Sequence, residues 1–187
     1  ELKNHSDVCV TSANAMKIVQ ALPNKNIYFI PDENLGRYVA SKVTDKHFIF
    51  NDGFCPLHKE FSKTDIEKVR KAHPGALLLV HPECRMEVLE DADYIGSTSG
   101  IIEYASESDA KEFIIGTEPG VMYELERRNP GKKFYPLVEG KVCPDMKKIT
   151  LEKVLKCMEE GTGVVEVTEE LRNSANASLD RMLELAR

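Results

Sequence analysis

The stretch 76-ALLLVHPE-83 decides the fold, because an uninterrupted apolar run leads into a polar end that contains a proline. A run of this length is typical of a strand buried on both faces, and it is far shorter than the ~20 residues of a membrane helix. Similar runs recur along the chain, and amphipathic stretches with helical spacing separate them. The predicted strands are 7–12, 26–32, 47–52, 76–83, 93–99, 112–118 and 132–137. The predicted helices are 14–22, 34–43, 64–73, 120–128 and 150–160.

This alternation of strands and helices predicts an α/β fold built from three-layer αβα units with parallel sheets. In such sheets, functional groups collect just beyond the carboxyl ends of the strands. The residues at the predicted ends are polar, namely Ser12, Asp32, Asn51, Asp52, His81, Glu83, Ser97, Thr98, Thr117 and Glu118. The sequence therefore predicts a ligand site at this edge.

The chain also contains an internal repeat, which appears when the sequence is compared with itself at a shift of 86 residues. At this shift Pro31-Asp32 aligns with Thr117-Glu118, Lys46 with Lys132 and Phe48 with Phe134. With one residue of slippage, EKVRKA from position 67 aligns with EKVLKC from position 152. We interpret the repeat as two copies of one α/β unit.

Composition narrows the class of protein. The net charge of −6 over 187 residues argues against a nucleic-acid partner, because phosphate binding needs a positive surface. No apolar run is long enough for a membrane partner, and the balance of residues is that of a cytoplasmic protein. The five cysteines form no C-x-x-C pair, and their odd number disfavours a disulfide framework, so reduced thiols are expected.

Two of these cysteines, Cys55 and Cys143, occupy nearly equivalent places in the repeat, 88 residues apart, and each is followed by proline. Two equivalent thiols suggest a metal site shared between repeated units, although both could simply pack under their loops. A mononuclear zinc needs four ligands and an iron–sulfur cubane needs three or four thiolates, so two cysteines leave either site incomplete. A third copy of the unit, upstream of Glu1, would supply the missing ligand.

Several longer motifs together resemble the quinolinate synthase family, often called NadA. They are VTSANAMKIV, PDENLGRYVA, GFCPLH, HPEC, ADYIGSTSGI, IIGTEPGVMYEL, KFYPLVEGKVCPDMKKITLEKVL and LDRMLEL. The resemblance implies three similar α/β units around a pseudo-threefold axis, each with one cysteine that binds a 4Fe-4S cluster. Residues 1–74 would then be the second unit, incomplete at its N-terminus, 75–165 the third unit, and 166–187 a C-terminal helical segment.

The resemblance also implies an activity, in which iminoaspartate condenses with dihydroxyacetone phosphate to give quinolinate for NAD biosynthesis. Cys55 and Cys143 would be cluster ligands, and an N-terminal domain that the sequence lacks would supply the third. Cys84 in HPEC is assigned no ligand role. The triplet His81, Pro82 and Glu83, with Ser12 and Thr98, would bind substrate, and His81 and Glu83 would transfer protons.

Simpler interpretations of the same residues stay open. Ser12 and Thr98 could be helix N-caps, and His81 could be an ordinary histidine at a strand end. The repeated units could also form a non-catalytic module that binds a dicarboxylate, which is the alternative to an enzyme.

Overall fold

The structure, a computed structural model, describes residues 2–187 and divides into two compact units. One unit is Ser12–Lys141, and the other consists of the residues up to Thr11 together with Val142–Arg187. The predicted division at residues 74 and 165 stays a prediction. Across the described residues, no helix is long and apolar enough to cross a membrane.

The Ser12–Lys141 unit contains two parallel sheets with helices between the strands. Its strands are β1 (Asn26–Phe29), β2 (His47–Phe50), β3 (Leu77–Val80), β4 (Tyr94–Ile95), β5 (Glu112–Gly116) and β6 (Lys133–Pro136). Its helices are α1 (Ala15–Ala21), α2 (Glu33–Lys42), α3 (Pro56–Lys59), α4 (Lys63–Ala72), α5 (Met86–Leu89), α6 (Thr98–Glu107) and α7 (Val121–Arg128). Strands β1 and β2 pair with each other, and the second sheet has the order β4-β3-β5-β6. The predicted α/β fold with parallel sheets is confirmed, whereas the pseudo-threefold symmetry stays a prediction.

Short strands buried on both faces form the core, as the apolar run at 76–80 predicts. Leu78, Leu79 and Val80 of β3 are fully buried. A buried apolar cluster around β3 and β5 includes Ile101 and Leu125 from the helices, and the rings of Phe113 and Phe134 stack with their centroids 5.5 Å apart. Parallel strands buried in this way place their polar ends at one edge of each sheet.

The 86-residue repeat has a structural counterpart in the strand pairs. The pairing of Asn26 with His47 in β1 and β2 recurs as the pairing of Glu112 with Lys133 in β5 and β6. The aligned lysines also act alike: Lys46 Nζ donates hydrogen bonds to the carbonyls of Leu22 and Asn24, just beyond the end of α1. Lys132 Nζ donates to Ala105, Ser106 and Ser108 at the end of α6, which is the aligned helix.

The predicted strand at 7–12 is wrong. At the repeat shift, Val8 and Cys9 align with Tyr94 and Ile95 of β4, which pair with β3. Among the described residues, no strand pairs with Val8 and Cys9, and an extended segment without a partner leaves its backbone groups unsatisfied. The Cys9 N–H donates instead to the Ser178 carbonyl at 3.0 Å.

The second unit contains two further α-helices, α8 (Leu151–Glu160) and α9 (Glu169–Leu185), and short 3-10 helices at Leu2–His5 and Met146–Lys148. Ser178 of α9 is buried and donates a hydrogen bond to the Lys3 carbonyl, which joins α9 to the N-terminal residues. The N-cap of helix α8 is Thr150, whose hydroxyl accepts from the Lys153 N–H, and the helix buries none of its residues.

The lysine at the end of α6 gives a stability prediction. We expect Lys132→Met to lower the free energy of unfolding by about 1.5–3 kcal/mol, because the carbonyls of Ala105 and Ser108 lose a charged donor. The matched control is Lys133→Met, since the exposed Lys133 makes only a 3.4 Å surface pair with Glu112. Urea unfolding of both variants measures the difference, and equal stabilities would contradict the capping role of Lys132.

Candidate active site

Three side chains that can bind a metal ion lie together in the Ser12–Lys141 unit. They are the Cys55 thiol, the His58 imidazole and the Glu83 carboxylate, and their ligand atoms all lie within 4.8 Å of one another. Cys55 and His58 follow β2 of the first sheet, whereas Glu83 follows β3 of the second sheet. The site is therefore built where the carboxyl ends of both sheets meet.

The local sequence explains why Cys55 and His58 lie side by side. Cys55 is the N-cap residue of α3 and Pro56 is its first residue, where a proline loses no helical hydrogen bond. A spacing of three residues at a helix start places two side chains on the same side. His58 is buried, and Cys55 is partly exposed.

His58 is held by hydrogen bonds at both ring nitrogens. Its Nδ1 lies 2.9 Å from Glu83 Oε2, and its Nε2 lies 3.0 Å from Thr117 Oγ1. Burial alone would lower the pKa of His58, but hydrogen bonds with Cys55 and Glu83 raise it to about 9. His58 is therefore a cation near neutral pH and donates through both nitrogens, which also keeps the pKa of Glu83 below its usual value despite burial.

His81 lies against His58 but is neutral, whereas His58 is a cation. The two rings stack with centroids 4.5 Å apart. Burial, together with the positive charge of His58, lowers the pKa of His81 to about 4. The Glu83 N–H donates to His81 Nδ1 at 3.3 Å, so the neutral His81 ring carries its proton on Nε2. The pair thus combines one imidazolium with one neutral imidazole.

The two neighbouring thiols differ in their ability to form a thiolate. Burial disfavours the charged form of Cys55, but the hydrogen bond and positive charge of His58 outweigh it and lower the pKa of Cys55. Cys84 is fully buried, and burial raises the pKa of its thiol well above the usual range. Since the thiolate is the form that binds metals, Cys55 suits a metal ligand and Cys84 does not.

A cavity of about 370 Å³ opens in the same unit. Its lining includes Ser12, Pro82, Ser97 and Ser99, so the structure brings two of the predicted substrate-binding residues together. The remaining lining residues are Ala13, Ala15, Met16, Leu35, Tyr38, Val39, Tyr94, Ile95, Gly96, Gly100 and Glu103. Hydroxyl groups and a carboxylate thus line the cavity together with apolar side chains.

Neither Ser12 nor Thr98 is a helix N-cap, so that interpretation is wrong for both. The N-cap of α1 is Asn14, and the N-cap of α6 is Ser97, whose Oγ accepts from the Gly100 N–H at 3.2 Å. Thr98 is the first residue of α6, and its side chain is exposed outside the cavity lining.

The other predicted metal ligand, Cys143, lies in the second unit. Its thiol is partly exposed, and its carbonyl accepts a hydrogen bond from the Lys147 N–H at 3.2 Å. Its pairing with Cys55 at one metal centre stays a prediction.

Sequence reasoning missed the roles of His58, Asp32 and Thr117. His58 had a visible signal, because it follows Cys55 by one helical turn. Asp32 and Thr117 were recognised only as polar strand ends, although Asp32 Oδ2 accepts the Cys55 N–H at 2.7 Å and Thr117 bonds His58. Their partners lie 23 and 59 residues away in the chain, which local patterns do not show.

The fold and site define a parallel α/β protein that brings a thiol, two imidazoles and a carboxylate together beyond its strand ends, where proteins of this class bind their ligands. The family model "NadA: Quinolinate synthetase A protein" matches residues 1–184. The chain belongs to this family.

Curated relatives agree with this assignment. The quinolinate synthase of Caldicellulosiruptor saccharolyticus is 50% identical over 185 residues, which cover 99% of this chain and 61% of that protein. The quinolinate synthase of Thermodesulfovibrio yellowstonii is 48% identical with the same coverage, and quinolinate synthase 2 of Methanosarcina acetivorans is 45% identical over 99% of this chain and 59% of its own length. The chain therefore spans about three fifths of the length of these relatives.

Proposed function

We propose that the protein containing this chain is a quinolinate synthase that acts in the cytoplasm in NAD biosynthesis. Its substrates would be iminoaspartate and dihydroxyacetone phosphate, and its cofactor a 4Fe-4S cluster. The observation that carries this proposal is the family match across residues 1–184. The grouping of Cys55, His58 and Glu83 at the sheet ends supports it independently.

The donor set of the chain fits such a cluster in part. Cys55 has a lowered pKa and partial exposure, as a thiolate ligand requires, and Cys143 is also partly exposed. These two would hold the cluster together with one thiolate from elsewhere in the protein. When bound, a cluster with an open iron site supplies a Lewis acid for a substrate carboxylate or hydroxyl.

The remaining residues of the chain would bind substrate and move protons. Glu83 is ionised and can accept a proton, while neutral His81 can donate a hydrogen bond from Nε2. The pKa of His58 is raised and that of the stacked His81 is lowered, and such opposite shifts in neighbouring groups are typical of sites that carry out acid and base steps together. Ser12 and Pro82 line the cavity, and we assign them to substrate binding together with Thr98 at the start of α6.

A further α/β unit is the partner that we propose for helix α8. In the repeat, α8 aligns with α4. Helix α4 contacts α5, and its residue Ile66 is only 3% exposed. The aligned residue in α8 is Leu151, which is 85% exposed. Val154, Leu155 and Met158 of α8 are exposed as well, so its apolar stripe resembles a surface made to be covered. A unit of the same build, the N-terminal domain that would supply the third cluster ligand, would cover it as α5 covers α4.

The proposed activity is tested with the full-length protein, purified and reconstituted without oxygen. We expect a brown protein that forms quinolinate from iminoaspartate and dihydroxyacetone phosphate. A colourless protein that binds dicarboxylates without turnover would contradict the proposal and identify a binding module instead.

The ligand assignment is tested by comparing two cysteines. We expect Cys55→Ala to abolish cluster binding and Cys84→Ala to leave most of it, because burial keeps the Cys84 thiol protonated. Iron and sulfide analysis of the two full-length variants measures the outcome. Equal loss from both would show that the ligand assignment is wrong.

The role of Glu83 is tested by removing its charge at constant shape. We expect Glu83→Gln to keep the fold and the cluster, since an amide oxygen can still accept from His58, but to lower turnover by ~100-fold or more. Glu87→Gln is the matched control, because Glu87 pairs only with Arg85 at the surface. Near-normal turnover in Glu83→Gln would leave Glu83 with a structural role alone.

The proposed cover of α8 predicts how these 187 residues behave when expressed alone. We expect self-association and substoichiometric iron, and we expect the double variant Leu151→Gln/Met158→Gln to reduce the self-association. Tyr123→Ser is the control, since Tyr123 is a similarly exposed apolar residue on α7. Sedimentation velocity measures the self-association. A monomeric chain with a full cluster would contradict both the proposed packing of a further unit on α8 and the proposed third cluster ligand from elsewhere in the protein.

A further inference from the structure

Two hydrogen bonds join the turn that presents Cys55 to the residues that follow β1. The Asn51 side-chain amide donates to the Pro31 carbonyl at 3.0 Å, and the Glu33 N–H donates to the Gly53 carbonyl at 2.7 Å. Residues 51–55 therefore lie directly against residues 31–33.

Gly53 is required for this close approach. A Cβ atom at position 53 would lie 2.4 Å from the Pro31 carbonyl oxygen and 2.6 Å from Asn51 Nδ2, which no side chain can tolerate. The absence of a side chain at Gly53 thus allows the two segments to touch.

Asp32 is the side chain that connects the two segments. Its Oδ1 accepts the Leu35 N–H at 2.7 Å and so caps α2, while its Oδ2 accepts the Cys55 N–H at 2.7 Å. The residue is only 6% exposed, and burial raises its pKa although both hydrogen bonds favour the carboxylate.

Capping α2 does not by itself explain a buried carboxylate. Four other helices in the described chain are capped by one hydroxyl, from Ser62, Ser97, Thr150 and Thr168. What a carboxylate adds at position 32 is a second acceptor oxygen, and that oxygen holds Cys55. Helix α3 has four residues, too few to fix its N-cap residue, Cys55, without such support.

We propose that Asp32 is a positioning residue that holds the backbone of Cys55 so that its thiol faces the metal site. The functional part of this inference rests on the proposed role of Cys55 as a cluster ligand. The structural part is that Asp32 fixes the Cys55 backbone, and it rests only on the hydrogen bonds that Asp32 accepts from the Leu35 and Cys55 N–H groups.

The test uses Asp32→Ser in the full-length protein, because serine keeps the α2 cap but is too short to reach Cys55. Amide hydrogen exchange, read by mass spectrometry with residue-level fragmentation, follows the amides of Cys55 and Leu35. We expect the Cys55 amide to exchange about tenfold faster or more, as for loss of one charge-assisted hydrogen bond, and the Leu35 amide to stay protected. Asp32→Asn is the second variant, since it replaces one of the two acceptor oxygens with an NH2 group, which cannot accept from the Leu35 or the Cys55 N–H.

The second measurement is the rate at which a chelator removes iron from the reconstituted protein. We expect several-fold faster loss in Asp32→Ser than in the parent protein. Asp93→Ser is the matched control, because Asp93 accepts the Leu78 N–H at the same 2.7 Å, away from the Cys55 turn. It should speed exchange at Leu78 without changing the loss of iron.

The outcomes separate this inference from the proposed function. If the Cys55 amide exchanges at the same rate in Asp32→Ser as in the parent protein, Asp32 does not fix the backbone of Cys55. If the Cys55 amide exchanges faster in Asp32→Ser but the rate of iron loss is unchanged, Asp32 has no positioning role at the metal site. If the parent protein binds no cluster, the proposed ligand role of Cys55 fails, and the exchange rates alone decide whether Asp32 holds the turn.

Discussion

The hydrogen bond between His58 and Glu83 is the interaction on which the rest of the site depends. It joins a residue that follows β2 of one sheet to a residue that follows β3 of the other, at 2.9 Å. Because both groups are charged and largely withdrawn from water, the bond is stronger than a surface ion pair and costly to break on one side only. The ends of two separate sheets are thereby fixed relative to each other, and residues 51–58 and 81–83 form one site.

The charge of His58 then sets the states of its neighbours. A cation at this position favours the thiolate of Cys55 and the carboxylate of Glu83, and it disfavours a second cation on the stacked ring of His81. One buried imidazolium therefore favours the thiolate form of Cys55, the carboxylate form of Glu83 and the neutral form of His81, all within a few ångströms. These are separate chemical roles that arise from a single electrostatic cause.

Much of the fold could be predicted because it depends on local patterns. The apolar runs marked six of the strands, and the repeat aligned two pairs of them with the register that the structure has. The failed strand at 7–12 has a local pattern as good as that of β4, but strand formation needs a partner, which a local pattern does not reveal. Ser97 and Thr98 are adjacent at the start of α6, and only the backbone geometry decides which of them is the N-cap. The spacing of His58 to Cys55, by contrast, is visible in the sequence, but the contact of His58 with Glu83 depends on the tertiary fold.

The repeat also explains why two strand ends that look unrelated in sequence act on the same turn. Pro31-Asp32 and Thr117-Glu118 occupy equivalent positions after β1 and β5. From the first copy, Asp32 binds the backbone of Cys55, and from the second copy, Thr117 binds the ring of His58. Each copy keeps a shared structural device, the lysine that binds carbonyls at a helix end, while its strand-end side chains have taken different roles. Equivalent positions after parallel strands face the same carboxyl edge, so two stretches related by the repeat can supply two sets of polar groups to one place, and the differences between Asp32 and Thr117 make the resulting site asymmetric.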